Sequence, residues 1–267
     1  MEKLSMKTPI TYYGGKQQMC DKIIPLIPNH LLYCEPFCGG AAIFWAKNPS
    51  ELEVLNDTNR ALTNFYQVVK NDFTSLEKEV RVTLNSRELH RKASVIYNNS
   101  DMFSNVKWAW SVWALSHQSF GAQLDASWGY DKSRNSTAKK ISNARESFTE
   151  DLAIRLQKVS MECADACYII RSRDTKDSFF YCDPPYYNAN MGHYDGYSLN
   201  DYRELLDTLS QIKGKFLLSS YPSDVLSEYV AKHSWYTKSF NQRISVNAKH
   251  GKSNQRKTEV LTANYEI

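Results

Sequence analysis

The chain has 267 residues and a formal net charge of +4, with 42% hydrophobic and 23% charged residues. This is an ordinary globular composition, long enough for one large α/β domain or for one domain carrying an insertion. Met1 to Gln18 holds no long apolar stretch, which argues against a signal peptide, and no run is long enough to span a bilayer, so a cytoplasmic protein is expected. In that compartment Cys20, Cys34, Cys38, Cys163, Cys167 and Cys182 are expected to be reduced. Cys34/Cys38 and Cys163/Cys167 are spaced like zinc ligands. However, Cys34 and Cys182 fall in apolar, strand-like runs, and no turn-rich knuckle surrounds either pair, so plain buried thiols are expected.

In chain order, Met19, Ile23 and Ile24 predict a short helix after Lys16 that stops at Pro25. Leu31 to Cys34 reads as a strand, Ala41 to Lys47 as the start of a helix, and Glu53 to Asn56 as a second strand. Asn59 onward, with Leu62, Phe65, Tyr66 and Val69, is helical. Strand, glycine turn, helix and strand in alternation argue for a parallel α/β unit. From Asp72 to about Gln118 the pattern is helical only, with Trp108, Val112 and Leu115 on one face, and at least two of Trp108, Trp110 and Trp113 belong to a core. Phe120 to Tyr130, with Gly121 and Gly129, reads as a hairpin. Strand-like runs resume at Phe179 to Cys182, Lys215 to Ser219 and Thr258 to Ala263. The expected division is therefore a sheet domain over 1–64 and 146–267 with a helical insertion over 65–145.

Two stretches, DKSRNSTAKKISNAR (131 to 145) and QRISVNAKHGKSNQRK (242 to 257), concentrate Lys and Arg among Ser, Asn and Gln. Solvated loops have this composition, and so do segments that meet a phosphate backbone with cations and base edges with amides.

The glycines carry more. Gly14-Gly15 and Gly39-Gly40 are pairs, and the second lies in EPFCGGAAIF, between a strand and a helix, where a missing side chain lets a ligand approach the backbone. Asp57 ends the next strand, at the distance where a doubly wound fold places a carboxylate for ribose hydroxyls. The G-x-G-x-x-G pyrophosphate fingerprint is absent, so the ligand reads as a nucleoside without a diphosphate. In TYYGGK, Lys16 at a helix start suits a carboxylate, and a nucleoside bearing an amino-acid carboxylate is S-adenosylmethionine. Finally, FFYCDPPYYN (179 to 188) reads as a buried strand that delivers Asp183 to its carboxyl end. There Pro184 and Pro185 hold the backbone extended, giving a rigid, acceptor-rich corner beside Tyr186.

PITYYGGK, EPFCGGAAIF, VLNDTN, FYCDPPYYN and TEVLTANY together resemble the Dam-like, alpha-class adenine-specific DNA methyltransferases, in motif order and over Pro9 to Tyr265. The resemblance implies a Rossmann-like methyltransferase sheet, an inserted target-recognition domain, and a soluble enzyme of a bacterial or phage-infected cell. It implies S-adenosylmethionine contacts at Tyr12, Lys16, Glu35, Pro36, Phe37, Gly39, Asp57 and Asp183, and a catalytic corner of Asp183, Pro184, Pro185 and Tyr186. The family's F-x-G-x-G departs here to Phe37-Cys38-Gly39-Gly40-Ala41. No aromatic stands between Glu162 and Cys167, where relatives place one against the cofactor adenine; Asp165 is expected to accept from that adenine's amine instead.

On this reading Asp183 and the Pro184 carbonyl accept from an exocyclic adenine amine and aim its lone pair, and Tyr186 stacks on a base flipped from the duplex. DNA contacts are expected from Phe120, Gln123 and Trp128, as a wedge filling the space left by the flipped base, and from Lys132, Arg134, Lys139, Lys140, Asn188, Lys249 and Lys252. MGHYDGYS (191 to 198) reads as a substrate loop or a plain connection. Two rivals stay open: cytosine-N4 methylation, and a catalytically silent DNA-binding relative. A partner restriction endonuclease, a phage setting and a solitary regulatory role all fit the sequence. No metal is expected.

Overall fold

The computed structural model describes residues 6–131, 135–187, 197–243 and 256–267. In chain order, a 3-10 turn (Gln17–Met19) leads into α1 (Cys20–Ile23) and a second 3-10 turn (Ile24–Leu26), followed by β1 (Leu32–Glu35), α2 (Ala42–Ala46) and β2 (Leu52–Asn56). Helices α3 (Arg60–Asn71), α4 (Phe73–Arg81), α5 (Arg87–Asn98), α6 (Asn105–Gln118), α7 (Ser136–Glu146) and α8 (Asp151–Leu156) come next. The remainder runs β3 (Val159–Glu162), α9 (Ala166–Arg173), β4 (Ser178–Cys182), α10 (Leu199–Gln211), β5 (Lys215–Ser220), α11 (Asp224–His233), β6 (Tyr236–Arg243) and β7 (Arg256–Ala263). Short polar side chains set many helix starts. Asn59, Ser86, Ser104, Asp165 and Ser223 each accept a backbone N–H of the first turn, and Ser198 with Asp201 forms a capping box before α10.

The chain divides into two compact units, Met1–Asp21, Gly39–Asn48 and Asn59–Cys163 in the first, and Lys22–Cys38, Pro49–Thr58 and Ala164–Ile267 in the second. In the second unit the strands are ordered β2-β1-β4-β5-β7-β6. The pairs among β2, β1, β4 and β5 are parallel, and β7 is antiparallel to both β5 and β6. The inner strands are apolar on both faces: Tyr33, Cys34, Phe179, Phe180, Phe216, Leu217 and Leu218 are all buried, as a parallel sheet clad on both sides requires. Helices α9, α10 and α11 lay Ile169, Ile170, Leu205, Leu206, Leu209 and Leu226 onto this sheet. Each such side chain removed from water is worth about 2 kcal/mol. The result is a Rossmann-like α/β fold. Its strand order turns back between β1 and β4, and in sheets of this kind that reversal opens a crevice at the carboxyl ends.

Strands β3 and β6 are not anticipated by the sequence. Strand β3 has four residues of which only Val159 is buried, and β6 buries none of its residues from Tyr236 to Asn241, so neither shows an apolar alternation there.

In the first unit α3, α4, α5 and α7 pack around α6. Residues Ala109 to Gln118 are buried on every side, so the expected single apolar face through Trp108, Val112 and Leu115 is replaced by a helix that is interior all round. Trp110 and Trp113 are core residues, and Trp110 donates from Nε1 to Thr83 Oγ1 at 2.7 Å. The expected hairpin over Phe120 to Tyr130 is instead a 3-10 turn (Phe120–Ala122) closed by one antiparallel bridge, Ser119 to Trp128. Gly121 and Ala122 both take positive φ (67° and 59°), which coils the segment where strands would need extended backbone. Part of the first basic stretch is helical, as α7.

His117 on α6 is buried and donates from Nε2 to the Pro9 carbonyl at 3.1 Å, while Nδ1 has no partner among the described residues. Burial, and then the charge of Lys140, push its pKa down to about 4. The unfolded chain therefore binds the extra proton first. Stability is expected to be intact above pH 6.5 and to fall by roughly 3 kcal/mol as the pH drops from there to about 4. Denaturant titrations across that window should show the slope in the wild type and a flatter profile in His117→Gln.

Candidate active site

Strand β4 ends where the two prolines begin. Asp183 is half-buried, Pro184 is buried, and the Tyr186 ring lies edge-on to Tyr221 with centroids 4.4 Å apart. The Tyr186 hydroxyl meets Asp183 Oδ1 at 3.2 Å and Ser219 Oγ at 3.1 Å, and it donates to Glu259 Oε1. Ser219 Oγ donates to the same Glu259 oxygen at 2.6 Å. Tyr186 is thus pinned at its polar end by β5 and β7. Burial, Asp183 and Glu259 hold its phenol well above the usual range, so it stays protonated. Tyr181 on β4 is pushed up in the same way, by burial and then by Asp183, Glu35 and Glu259, which marks a buried zone rich in carboxylates.

The neighbouring strand β1 ends at Glu35, which is buried and accepts from the Tyr33 hydroxyl at 2.6 Å. Pro36 is buried, and half-buried Phe37 lies edge-on to Tyr197 at 6.2 Å. The Cys38 thiol is pushed up by burial, then by Asp57 and Glu35, so two carboxylates face this turn. Asp165 caps α9, accepting from Tyr168 N at 2.7 Å through Oδ1, and is otherwise exposed.

A residue that the motif reading passed over holds these pieces in place. The fully buried Asn56 donates from Nδ2 to Pro36 O at 2.8 Å and to Ala164 O at 3.0 Å, and its Oδ1 accepts from Ala164 N at 2.9 Å. Its backbone oxygen accepts from Cys38 N at 2.8 Å. One side chain therefore sets the turn after β1, the end of β2 and the lead into α9. The available signal was a buried amide at a strand end, directly before Asp57.

In the first unit, Gly39 has φ +47°, and a Cβ there would come within 3.0 Å of the Tyr12 ring. Its carbonyl accepts from Tyr66 OH at 2.9 Å. Ala41, standing where the family motif has glycine, keeps the left-handed backbone at φ 49°, a conformation that disfavours a side chain by roughly 1 kcal/mol. Lys16 donates to Gly14 O at 3.2 Å and precedes only a three-residue 3-10 turn, so the helix-terminus assistance expected for it is slight.

Of the expected DNA contacts, Phe120 is 53% exposed, Gln123 and Trp128 are half-buried, and Lys139 and Lys140 are exposed. Trp128 is stacked on Tyr130 at 5.6 Å, with the Arg87 guanidinium 4.9 Å from the Trp128 ring, so it is less available than Phe120 as a wedge. Arg87 itself went unnoticed because it lies more than one helix away in sequence. Lys132, Arg134, Asn188, His193, Lys249 and Lys252 lie outside the described residues.

Removing the Asn56 amide strands two backbone carbonyls and one N–H. Asn56→Ala is expected to cost roughly 3 kcal/mol of stability. It should also weaken S-adenosylmethionine binding, as read by chemical denaturation and by calorimetry.

Residues 12–250 match the family model described as D12 class N6 adenine-specific DNA methyltransferase. The chain is 25% identical to the type II methyltransferase M1.LlaDCHI of Lactococcus lactis subsp. cremoris, over 98% of this chain and 97% of that protein. It is 24% identical to the type II methyltransferase M.FokI of Planomicrobium okeanokoites, spanning 97% of this chain but 43% of that longer protein. It is 26% identical to a DNA adenine methylase of Vibrio cholerae over 74% of each chain. With a strand-end acidic corner and an acid-lined turn on adjacent parallel strands, and with the match extending over most of its length, the chain belongs to the D12 class of N6 adenine-specific DNA methyltransferases.

Proposed function

We propose that the carboxyl ends of β1 and β4 form the reaction centre, where Asp183 and the Pro184 carbonyl hold the amine of an adenine turned out of duplex DNA. The observation that carries this is the placement of the Asp183–Tyr186 corner beside the turn after β1 at the reversal of strand order. An exocyclic adenine amine is a poor nucleophile because its lone pair is delocalised into the ring. Two acceptors, one on each N–H, favour a tetrahedral nitrogen and point the lone pair outward. The diproline removes backbone freedom from both acceptors. Tyr186, fixed through its hydroxyl, presents a ring of set orientation for a base to stack on.

Glu35 and Asp57 around the turn, with Asp183, make an acceptor-rich set, and this suits a ligand bearing an ammonium, ribose hydroxyls and a sulfonium. S-adenosylmethionine is such a ligand, and when bound it supplies an electrophilic methyl group. Glu35, Pro36, Phe37, Asp57, Asp165 and Asp183 are the second-unit residues assigned to holding it. Because the sulfonium carbon is already electrophilic, the chemistry calls for no metal.

Target recognition is assigned to 65–145. Phe120, Gln123 and the Arg87–Trp128–Tyr130 stack are directed to bases and groove, and Lys139 and Lys140 to phosphates. The type II relatives make a restriction endonuclease a fitting partner.

The protein with EDTA, duplex DNA and methyl-labelled S-adenosylmethionine is expected to yield labelled N6-methyladenosine on digestion, and Asp183→Ala is expected to lose it. Label on cytosine would replace the substrate assignment, and persistence of label in the variant would remove Asp183 from the centre. Replacing both Lys139 and Lys140 by Ala should lower the slope of log K against log salt by roughly two and weaken binding to all sequences alike.

A further inference from the structure

Arg87 stands exposed at the first position of α5, with its guanidinium carbon 4.9 Å from the centre of the Trp128 ring and 5.8 Å from that of Tyr130. The two rings are themselves stacked, with centroids 5.6 Å apart and planes inclined by 22°. Such contacts hold a cation against the negative face of the rings and restrict where it points. The carboxylates beside this group in sequence are engaged elsewhere. Glu88 pairs with Arg91 at 2.8 Å and with Lys92 at 4.0 Å, and Asp131 accepts from Ser136 Oγ and, at 2.6 Å, from Thr137 N. Among the described residues no carboxylate or carbonyl accepts from Arg87, so its five N–H donors are left to solvent or to a ligand.

The platform under the guanidinium is fixed, because the start of α5 is tied to the segment after α6. Ser86 N donates to Gln118 Oε1 at 3.1 Å, and Gln118 Nε2 donates to Leu84 O at 3.1 Å. His90 Nε2 and Ser119 Oγ lie 2.9 Å apart. Ser119 bridges to Trp128, and Gly129 N donates to Gln118 O at 2.7 Å. Phe120, the expected wedge, follows Ser119 directly and its N donates to Ser127 O at 2.8 Å, so wedge, rings and guanidinium share one framework.

We propose that Arg87 reads a guanine of the recognition sequence, donating two hydrogen bonds from its guanidinium to guanine O6 and N7 in the major groove. The proposal rests on the assignment of target recognition to 65–145. A planar fork needs two acceptors side by side. Adenine presents N7 beside an amine donor, thymine an oxygen beside a methyl, and cytosine an amine, so none of them accepts both N–H groups. A phosphate also offers two oxygens, and it is the weaker match. It carries a full negative charge, which the faces of Trp128 and Tyr130 repel, and phosphate affinity needs no oriented fork, since exposed lysines such as Lys139 and Lys140 supply it.

The test first maps the sites that the full-length protein methylates on DNA from a methylation-free host. It then measures kcat/KM on duplexes changed at each position of the site in turn, for the wild type, Arg87→Met and Arg87→Ala. At one guanine, wild-type discrimination is expected to be on the order of tenfold to a hundredfold and to fall to about threefold or less in both variants, while discrimination elsewhere in the site holds. Placing 7-deazaguanine at that position keeps base pairing and O6 and removes the N7 acceptor. This should slow the wild type by on the order of tenfold and change either variant by less than about twofold.

A loss that is equal on every sequence, with discrimination unchanged and the slope of log K against log salt lower by about one, makes Arg87 a phosphate contact and overturns the proposal. A mapped site without guanine, or a wild type indifferent to 7-deazaguanine at every guanine, overturns it with no variant needed. If neither variant folds, Tyr130→Ala, which removes part of the platform, decides, and unchanged discrimination at that guanine overturns the proposal. Each of these outcomes leaves the methyltransferase assignment standing. Failure of the wild type to methylate DNA at all removes that assignment, and the proposal with it.

Discussion

Parallel pairing of β1 with β4 is the constraint on which the remainder of the second unit depends. It sets Tyr33 against Phe179 and Cys34 against Phe180 in register, so two segments far apart in the chain finish side by side and each delivers its polar cargo at the same edge. The pairing is secured by burying aromatic and apolar side chains on both faces, which makes a slip of register costly because every side chain would exchange faces. Asn56 completes the arrangement by fastening the turn after β1 to the lead into α9. The apolar sheet gives position along the strands, and one buried amide gives position across their ends.

The edge so formed is unusual in its charge. Glu35, Asp183 and Glu259 are gathered around buried hydroxyls, and burial first, then these carboxylates, hold Tyr33, Tyr181 and Tyr186 protonated. Carboxylates are expensive to bury without partners, and here the phenols and Ser219 supply them. A ligand that brings positive charge relieves the same cost, which is the electrostatic reason a sulfonium donor suits this edge.

Much of this was legible in the sequence where a segment had to be apolar for its own sake. β1, β2, β4, β5 and β7 show as short apolar runs, and α3 shows as a periodic one capped by Asn59. Strand ends followed by Glu35-Pro36 and Asp183-Pro184 were visible for the same reason. What escaped was set by neighbours distant in the chain. The edge strand β6 is exposed and has no pattern to display, and α6 looked one-sided because surrounding helices, absent from any local window, bury it all round. Asn56, Ser219 and Glu259 matter through bonds to other segments, and no spacing within a motif announces such bonds. Ala41 is the reverse case, since the motif called for glycine and the backbone kept glycine's conformation without it.

The order of strands also has a consequence in time. β7 lies between β5 and β6, although it is the last of the three to be synthesised. Until it arrives, β6 has no neighbour in the sheet and Tyr186 has no Glu259 to donate to. A ribosome-bound chain that has already made both glycine pairs and the diproline corner therefore lacks the strand that holds the corner's tyrosine in place. Maturation of the corner is thereby tied to completion of the last strand, and an interrupted translation product carries the motifs without the arrangement that gives them force.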